Sequence, residues 1–483
     1  MSKACRIDEI AVWDPNGSKG IKRSATFPDL VPGSKIPREV GLSQGVLDVI
    51  PKTNFPDIRK ACFVHSAESG NMLMIPREER LVRFYVPLQD ATSESQSKFI
   101  KQNYSAEYIL DAARKILSPF KLEYNYCDWW SAYQIGQRVA DCYSLYNRVF
   151  LAGDAVPWIE EKARPENLRP TQNRVVTEHF ADTHSPKVGQ GMNISIQDTY
   201  NLGWKLVECL QWKAHRSLLS TYESERRPVA QDLINFDQTY SKLWGTSLDA
   251  KASQVTEERI TPLQAMFQRH VEFTTGLTTR YASNLIVWDQ APNDSMTPRN
   301  STVQLAKNLV VGMRMPDFQV VNQSDAVPCQ IHGLLKFDGH FRILVFAGDV
   351  AHAEGASRLR VFSDRWSALA SSTSRMSSQD ALLDSHIEVI TIHAADRAKV
   401  EFQDFPDILH PWHEDRGWDY WKIYADGRDI FGNHGEAYTT CGINTACGCI
   451  VVVRPDGYIA LIGSLEDVER INSFFAGLTK APA

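Results

Sequence analysis

No stretch of this sequence approaches the roughly 18 consecutive apolar residues that a membrane-spanning helix requires. The N-terminus, MSKACRIDEIAVW, carries no apolar signal core, so a cytosolic protein is expected. An excess of charge is missing too: 52 basic residues against 58 acidic ones leave a net charge of −6, which points to neither a nucleic-acid nor a membrane partner. A Cys-x-x-Cys pair, needed for dithiol redox chemistry at a helix start, does not occur. The cluster Cys441, Cys447, Cys449 has the spacing of no zinc site, so a metal is not expected. The nine cysteines are odd in number and mostly set in apolar sequence, which suits reduced, buried thiols.

What is present describes a globular protein of two or three domains: 483 residues, 43% hydrophobic and 23% charged. Short apolar or alternating runs, VLDVI, ACFVHS, GNMLMIP and RLVRFYVPL, predict a sheet over residues 46 to 90. YSAEYILDAARKILS has helical spacing and a Ser for the N-cap. The stretch Arg148 to Leu206 organises the rest. RVFLAGDA reads as a short strand ending in Gly-Asp, and Gly189-Gln190-Gly191 reads as a glycine-rich loop feeding an amphipathic helix, Ser195 to Trp212. Ile196, Tyr200, Gly203, Leu206, Val207 and Leu210 would share its buried face, with Gly203 allowing close backbone packing. A carboxylate facing a helix N-terminus across such a loop suits a ligand with hydroxyls and anionic groups, such as a flavin dinucleotide. TYESERRPVA continues as a helix broken at Pro228. From Met313 onward, short strands alternate with helical segments, as in an α/β domain.

The segments GDA, THSPKVGQGMN and QDTYNLGWKL resemble the second FAD-binding motif of flavoprotein aromatic hydroxylases, in the phenol 2-monooxygenase branch. The resemblance implies that Asp154 holds the ribityl chain, and that Pro186, Gly189, Gln190, Gly191, Met192 and Asn193 sit beside the pyrophosphate and the ring. Arg77 and Tyr85, in IPREERLVRFYV, match positions near substrate and flavin; residue type alone favours a surface Arg and a packed Tyr. Trp130 and Tyr133, in WSAYQIGQRVA, are candidates for the pocket wall or for core. GMRMPDF and VVVRPDGYIALIG resemble the C-terminal thioredoxin-like domain of phenol hydroxylases, which implies a homodimer.

The implied fold class is therefore α/β (α+β), a substrate-domain sheet on part of the aromatic-hydroxylase fold plus a thioredoxin-like domain. Residues 1–245 would form the FAD-binding and substrate part, 246–300 a helical connector and 301–483 the dimerisation domain. The implied reaction is hydroxylation of a phenol or related aromatic by FAD, NADPH and O2.

Three departures count against a working site. No strand, Gly-x-Gly-x-x-Gly and helix open the chain, and the Asp-Gly motif expected between GLSQG and VLDVIPK is missing, those segments being fused at Gly45–Val46. An N-terminally truncated relative is expected on that ground. The polar segment Val156 to Asp182 also separates the two halves of the motif, as a lid or a retained intron. The alternative is an inactive relative that binds no FAD and acts at most as a dimerising remnant. A chain with one of three flavin motifs is expected to purify colourless.

Overall fold

The computed structural model describes residues 9–15, 21–28, 43–66, 69–88, 104–134, 138–139, 142–153, 182–183, 191–211, 214–245, 276–289, 305–373, 387–428, 432 and 435–479. Contacts divide the chain into two units. The first comprises Met1–Tyr143, Phe150–Asp198 and Arg227–Thr275; the second comprises Ser144–Val149, Thr199–Arg226 and Gly276–Ala483.

The first unit holds a seven-stranded sheet. Its strands are β1 (Glu9–Pro15), β2 (Ile21–Pro28), β3 (Ser43–Thr53), β4 (Ala61–Ser66), β5 (Gly70–Pro76), β6 (Val82–Leu88) and β7 (Leu122–Gln134), in the order β2-β1-β4-β5-β6-β3-β7. Every pairing is antiparallel except β1 with β4. Alternation decides the faces. Val82, Phe84, Val86 and Leu88 are buried with Leu47, Val49, Met72 and Met74 beneath helix α1 (Ala106–Leu117). The side chain of Ser105 caps α1 by accepting from the Tyr108 N–H, and Ile109, Leu110, Ala113, Ile116 and Leu117 form its buried face. Each such Leu or Ile contributes roughly 1.5–3 kcal/mol by leaving water. A Cβ on Gly45 would lie 2.7 Å from Ile109 Cγ1, so glycine lets α1 settle onto the sheet. The junction Gly45–Val46 lies inside the continuous strand β3.

Two long helices are shared by the units: α2 (Gly191–Leu210) and α3 (Ser220–Gly245). The loop expected to reach Asn193 ends earlier, since Gly191, Met192 and Asn193 already form the first turn of α2. The expected break at Pro228 does not occur: α3 runs through it. Glu225 and Arg226 before the proline, and Val229, Ala230, Leu233 and Ile234 after it, are all buried, and that packing offsets the missing hydrogen bond.

The second unit is built on another seven-stranded sheet. Its strands are β8 (Gln319–Asn322), β9 (Pro328–Gln330), β10 (Phe341–Gly348), β11 (Ile387–His393), β14 (Ile423–Ala425), β15 (Cys449–Val453) and β16 (Ile459–Gly463), in the order β9-β8-β14-β11-β10-β15-β16. A separate hairpin pairs β12 (Trp412–His413) with β13 (Gly417–Trp418). β10, β11 and β14 are parallel, with helix α4 (Ala353–Thr373) crossing from β10 to β11. β15 and β16 form an antiparallel hairpin against β10, followed by helix α5 (Val468–Thr479). β10, β15 and β16 are buried along their full length, as strands covered on both faces must be. The expected burial of the thiols holds in part: Cys62, Cys441 and Cys449 are buried, whereas Cys142 and Cys447 are exposed, and burial pushes the Cys449 thiol up to about 12. Such thiols are poor nucleophiles.

Candidate active site and the buried ion cluster

The glycine of the Gly-Asp turn is held tightly. Gly153 has φ +58°, and a Cβ there would meet the Ser195 hydroxyl and lie 2.8 Å from the Ser195 Cα, within the second turn of α2. Its N–H donates to the buried carboxylate of Asp198 at 2.9 Å. Only glycine combines that φ with that contact. The residue preceding Asp154 is thereby pinned to the opening turns of a 20-residue helix, whose terminal N–H groups carry the partial positive charge. Asp154, Pro186, Gly189 and Gln190 lie outside the described residues, as do the side chains of Gly191 and Met192. Asn193 is half-buried in the first turn.

Arg77 and Tyr85 come to the face of the first sheet opposite α1. The register aligns Val46 with Tyr85 and Ser131, and Asp48 with Arg83 and Trp129. Asp48 is fully buried. It accepts from Arg83 Nε at 2.7 Å and Arg83 Nη2 at 2.6 Å, and it accepts a further short bond from Arg77 Nη1. Arg77 also reaches Glu78 Oε1 at 2.5 Å. Both arginine side chains keep 30% of their surface exposed. The bidentate contact with Asp48 holds the Arg83 guanidinium protonated well beyond its ordinary range, and the Tyr85 side chain engages the same group. Arg83 also lies 5.6 Å above the Trp129 ring. Sequence reasoning missed Arg83 and Asp48, although the spacing of Arg83 and Tyr85 on an alternating strand places them on one face. Of the aromatic pair in β7, Trp130 pairs in register with core residue Leu47 and so belongs to the α1 side; Trp129 is the one on the Tyr85 face. The side chain of Tyr133 lies outside the described residues.

A second charged cluster lies in the other unit. Glu225, fully buried, accepts from Arg454 Nη1 (2.6 Å) and Nη2 (3.0 Å), Lys205 Nζ (2.7 Å), Asn201 Nδ2 (2.7 Å) and Asn284 Nδ2 (3.0 Å). Arg454 also pairs with Asp456 through Nε (2.9 Å) and Nη2 (2.5 Å), and Trp204 Nε1 donates to Asp456 at 3.1 Å. Burial works against the charge on Glu225, but Arg454 and Lys205 outweigh it and hold the carboxyl below the usual carboxylate range. Burial pulls Lys205 down to about 8 against the opposing attraction of Glu225.

This cluster corrects the expected buried face of α2. Ile196, Val207 and Leu210 are exposed, and Gly203 faces open space instead of a close neighbour. The buried residues of α2 mix apolar Ile194, Leu202 and Trp204 with a polar row, Asp198, Asn201, Lys205 and Glu208, at helical spacing. Glu225 of α3, itself paired with Arg454, makes burying Asn201 and Lys205 favourable.

The comparisons with known proteins follow these divisions. The FAD binding domain family matches residues 32–159 and 181–237, passing over the middle of the polar insert. The family "Phenol hydroxylase, C-terminal dimerisation domain" matches residues 279–483. Phenol 2-monooxygenase fsqG of Aspergillus fumigatus is 42% identical over 91% of this chain and 65% of its own length. The 3-hydroxybenzoate 4-monooxygenase of Comamonas testosteroni is 34% identical over 90% of this chain and 64% of its own. The chain thus spans less than two thirds of the length of these relatives. The flavin-dependent monooxygenase PieE, solved with FAD and substrate, shares the fold with a TM-score of 0.53 at 15% identity, covering 92% of this chain and 66% of that one. Among the described residues no helix is long and apolar enough to cross a membrane, and no group of three or more His, Cys, Asp or Glu could hold a metal ion. Two family models and a relative matched over nine tenths of the sequence lead to one placement: the chain belongs to the FAD-dependent aromatic hydroxylases, in the phenol hydroxylase branch.

Proposed function

We propose that this chain serves FAD-dependent hydroxylation of a phenol or related aromatic, with NADPH as electron donor and O2 as the oxygen source. The carrying observation is the sheet face where Tyr85 and Arg83 stand together over a buried carboxylate. Relatives named for phenol and for 3-hydroxybenzoate, both hydroxylated aromatics, support it. Bound FAD would take hydride from NADPH and, with O2, deliver oxygen to the ring.

The residues of the chain then have distinct tasks. Asp154 would hold the ribityl chain, and the Pro186 to Asn193 segment would lie along the pyrophosphate and ring. The fit rests on Gly153, whose contacts with Ser195 and Asp198 fix the chain beside the start of α2, where an anionic group is favoured. The Tyr85 hydroxyl would hydrogen-bond the substrate oxygen, and the Arg83 guanidinium would favour its deprotonated form. Asp48 acts through Arg83: it fixes the guanidinium and keeps it charged. Arg77 completes the same charge cluster. Residues 1–245, 246–300 and 301–483 would divide as FAD-binding and substrate part, connector and thioredoxin-like dimerisation domain, giving a cytoplasmic homodimer.

Titrating the purified 483-residue chain with FAD tests the reading. The expected result is a saturable flavin complex whose NADPH oxidation is stimulated by a phenol. A chain that stays colourless after titration would favour the remnant instead.

A further inference from the structure

Trp129 stands on the open face of the first sheet beside the groups that take the substrate oxygen, yet hydroxylation as described gives it no task. Antiparallel register sets it opposite Asp48, and Asp48 opposite Arg83, so the three side chains share one face. The indole is 47% exposed, although a ring system of that size gains most by leaving water. The Arg83 guanidinium lies 5.6 Å from the ring centroid. That is near the outer limit of a cation–π contact, about 6 Å, so the cation covers only part of the indole. Two bonds to Asp48 fix the guanidinium there and keep it from sliding further over the ring. The next row on this face, Tyr85, Val46 and Ser131, lies about 6.8 Å further along the strands. Ser131 is the neighbour of Trp129 in that row, and its small side chain leaves the indole unshielded toward Tyr85.

We propose that Trp129 is a specificity-determining residue: its bare indole is the platform on which the substrate ring stacks while Arg83 and Tyr85 hold the substrate oxygen. The proposal rests on the reading that this face receives the phenol, and adds what recognises the carbon frame. An oxygen bonded to Arg83 sits about 3 Å from a guanidinium nitrogen that itself lies beside the indole. The ring carried by that oxygen therefore comes within stacking reach of Trp129, with offset centroids about 4.5–7 Å apart. Arg83 answers the charge on the oxygen, and the indole answers the flat, polarised face of the ring. Such a pair separates a phenol from a saturated alcohol, which offers the same hydroxyl and no π face. Trp130 provides a matched control, being 40% exposed but on the opposite face of the same strand.

Calorimetric titration of the 483-residue chain, with FAD present, against phenol and cyclohexanol tests the assignment. Trp129→Leu should weaken phenol binding about fivefold and leave cyclohexanol binding as it was, as loss of one aromatic pair does. Trp130→Leu should change neither. A role exerted through Arg83 is separated with 4-nitrophenol, whose absorbance shows its ionisation. Trp129→Leu should weaken binding of this probe at every pH without moving the pH at which the bound probe ionises, whereas Arg83→Met should raise that pH. A Trp129→Leu chain that raises it as well makes the indole a support for Arg83 and overturns the platform. Phenol binding unchanged by Trp129→Leu overturns it too, while the proposed function stands. A wild-type chain that binds no phenol overturns both. If the leucine variant fails to fold, Trp129→Phe decides: its smaller ring should lower the preference for phenol over cyclohexanol about twofold, and an unchanged preference contradicts the assignment.

Discussion

Each unit buries one carboxylate under two cations, yet the two clusters are built to opposite ends. Around Glu225 every charged partner is sealed from water: Arg454 and Lys205 are fully buried, and Asp456 is 1% exposed. Two acidic and two basic groups balance, and amide donors occupy the remaining lone pairs. Around Asp48 only the carboxylate is sealed, while both arginines keep 30% of their side-chain surface in reach of solvent. A closed cluster can only hold structure, whereas an open one presents an oriented cation to whatever lies over the sheet. Counting ion pairs would not have separated them; exposure of the cations does.

The sharpest way to break the comparison is to remove each carboxylate. Glu225→Ala strands two buried cations, and the second unit should lose about 3–5 kcal/mol, read from urea denaturation. Acid comes next. Burial pulls the His393 imidazole from 6.5 down to about 4, so the unfolded chain takes up a proton that the folded chain refuses. Stability should therefore fall as pH drops from about 6.5, by about 2 kcal/mol at pH 5, and His393→Gln should flatten that slope. Glu225, held low by its cations, contributes no loss in that window. Asp48→Asn should cost less than Glu225→Ala, about 1–3 kcal/mol, because its arginines can turn to water. An equal loss for Asp48→Asn and Glu225→Ala would erase the distinction between open and closed clusters.

Much of the first sheet was legible because its strands alternate cleanly and one face is core. VRFYV could be read residue by residue, and so could the cap and apolar face of α1. Helix α2 was not, because much of what it buries is polar. Asp198, Asn201, Lys205 and Glu208 have helical spacing, but they look like a solvated face until Glu225, with Arg454 on it, is brought to Asn201 and Lys205, and the Gly153 N–H to Asp198. A hydrophobic pattern reports what leaves water by itself and is silent about charges that leave water in pairs. The same limit hid Arg83, whose significance depends on Asp48 across two strands. The Gly-Asp turn, in contrast, announced itself: a glycine with φ +58° against a helix backbone tolerates no substitute.

The central claim is that the open cluster faces a ligand and the closed one does not. Phenol binding to the FAD-titrated chain, measured by calorimetry for wild type and for Arg83→Met, tests it most directly. The account predicts at least about tenfold weaker binding, in line with loss of a charge-assisted contact, with a stability loss of about 1–3 kcal/mol because Arg77 still pairs with the buried Asp48. Unchanged phenol affinity together with a large drop in melting temperature would make Arg83 a structural residue like Arg454, and would contradict the claim.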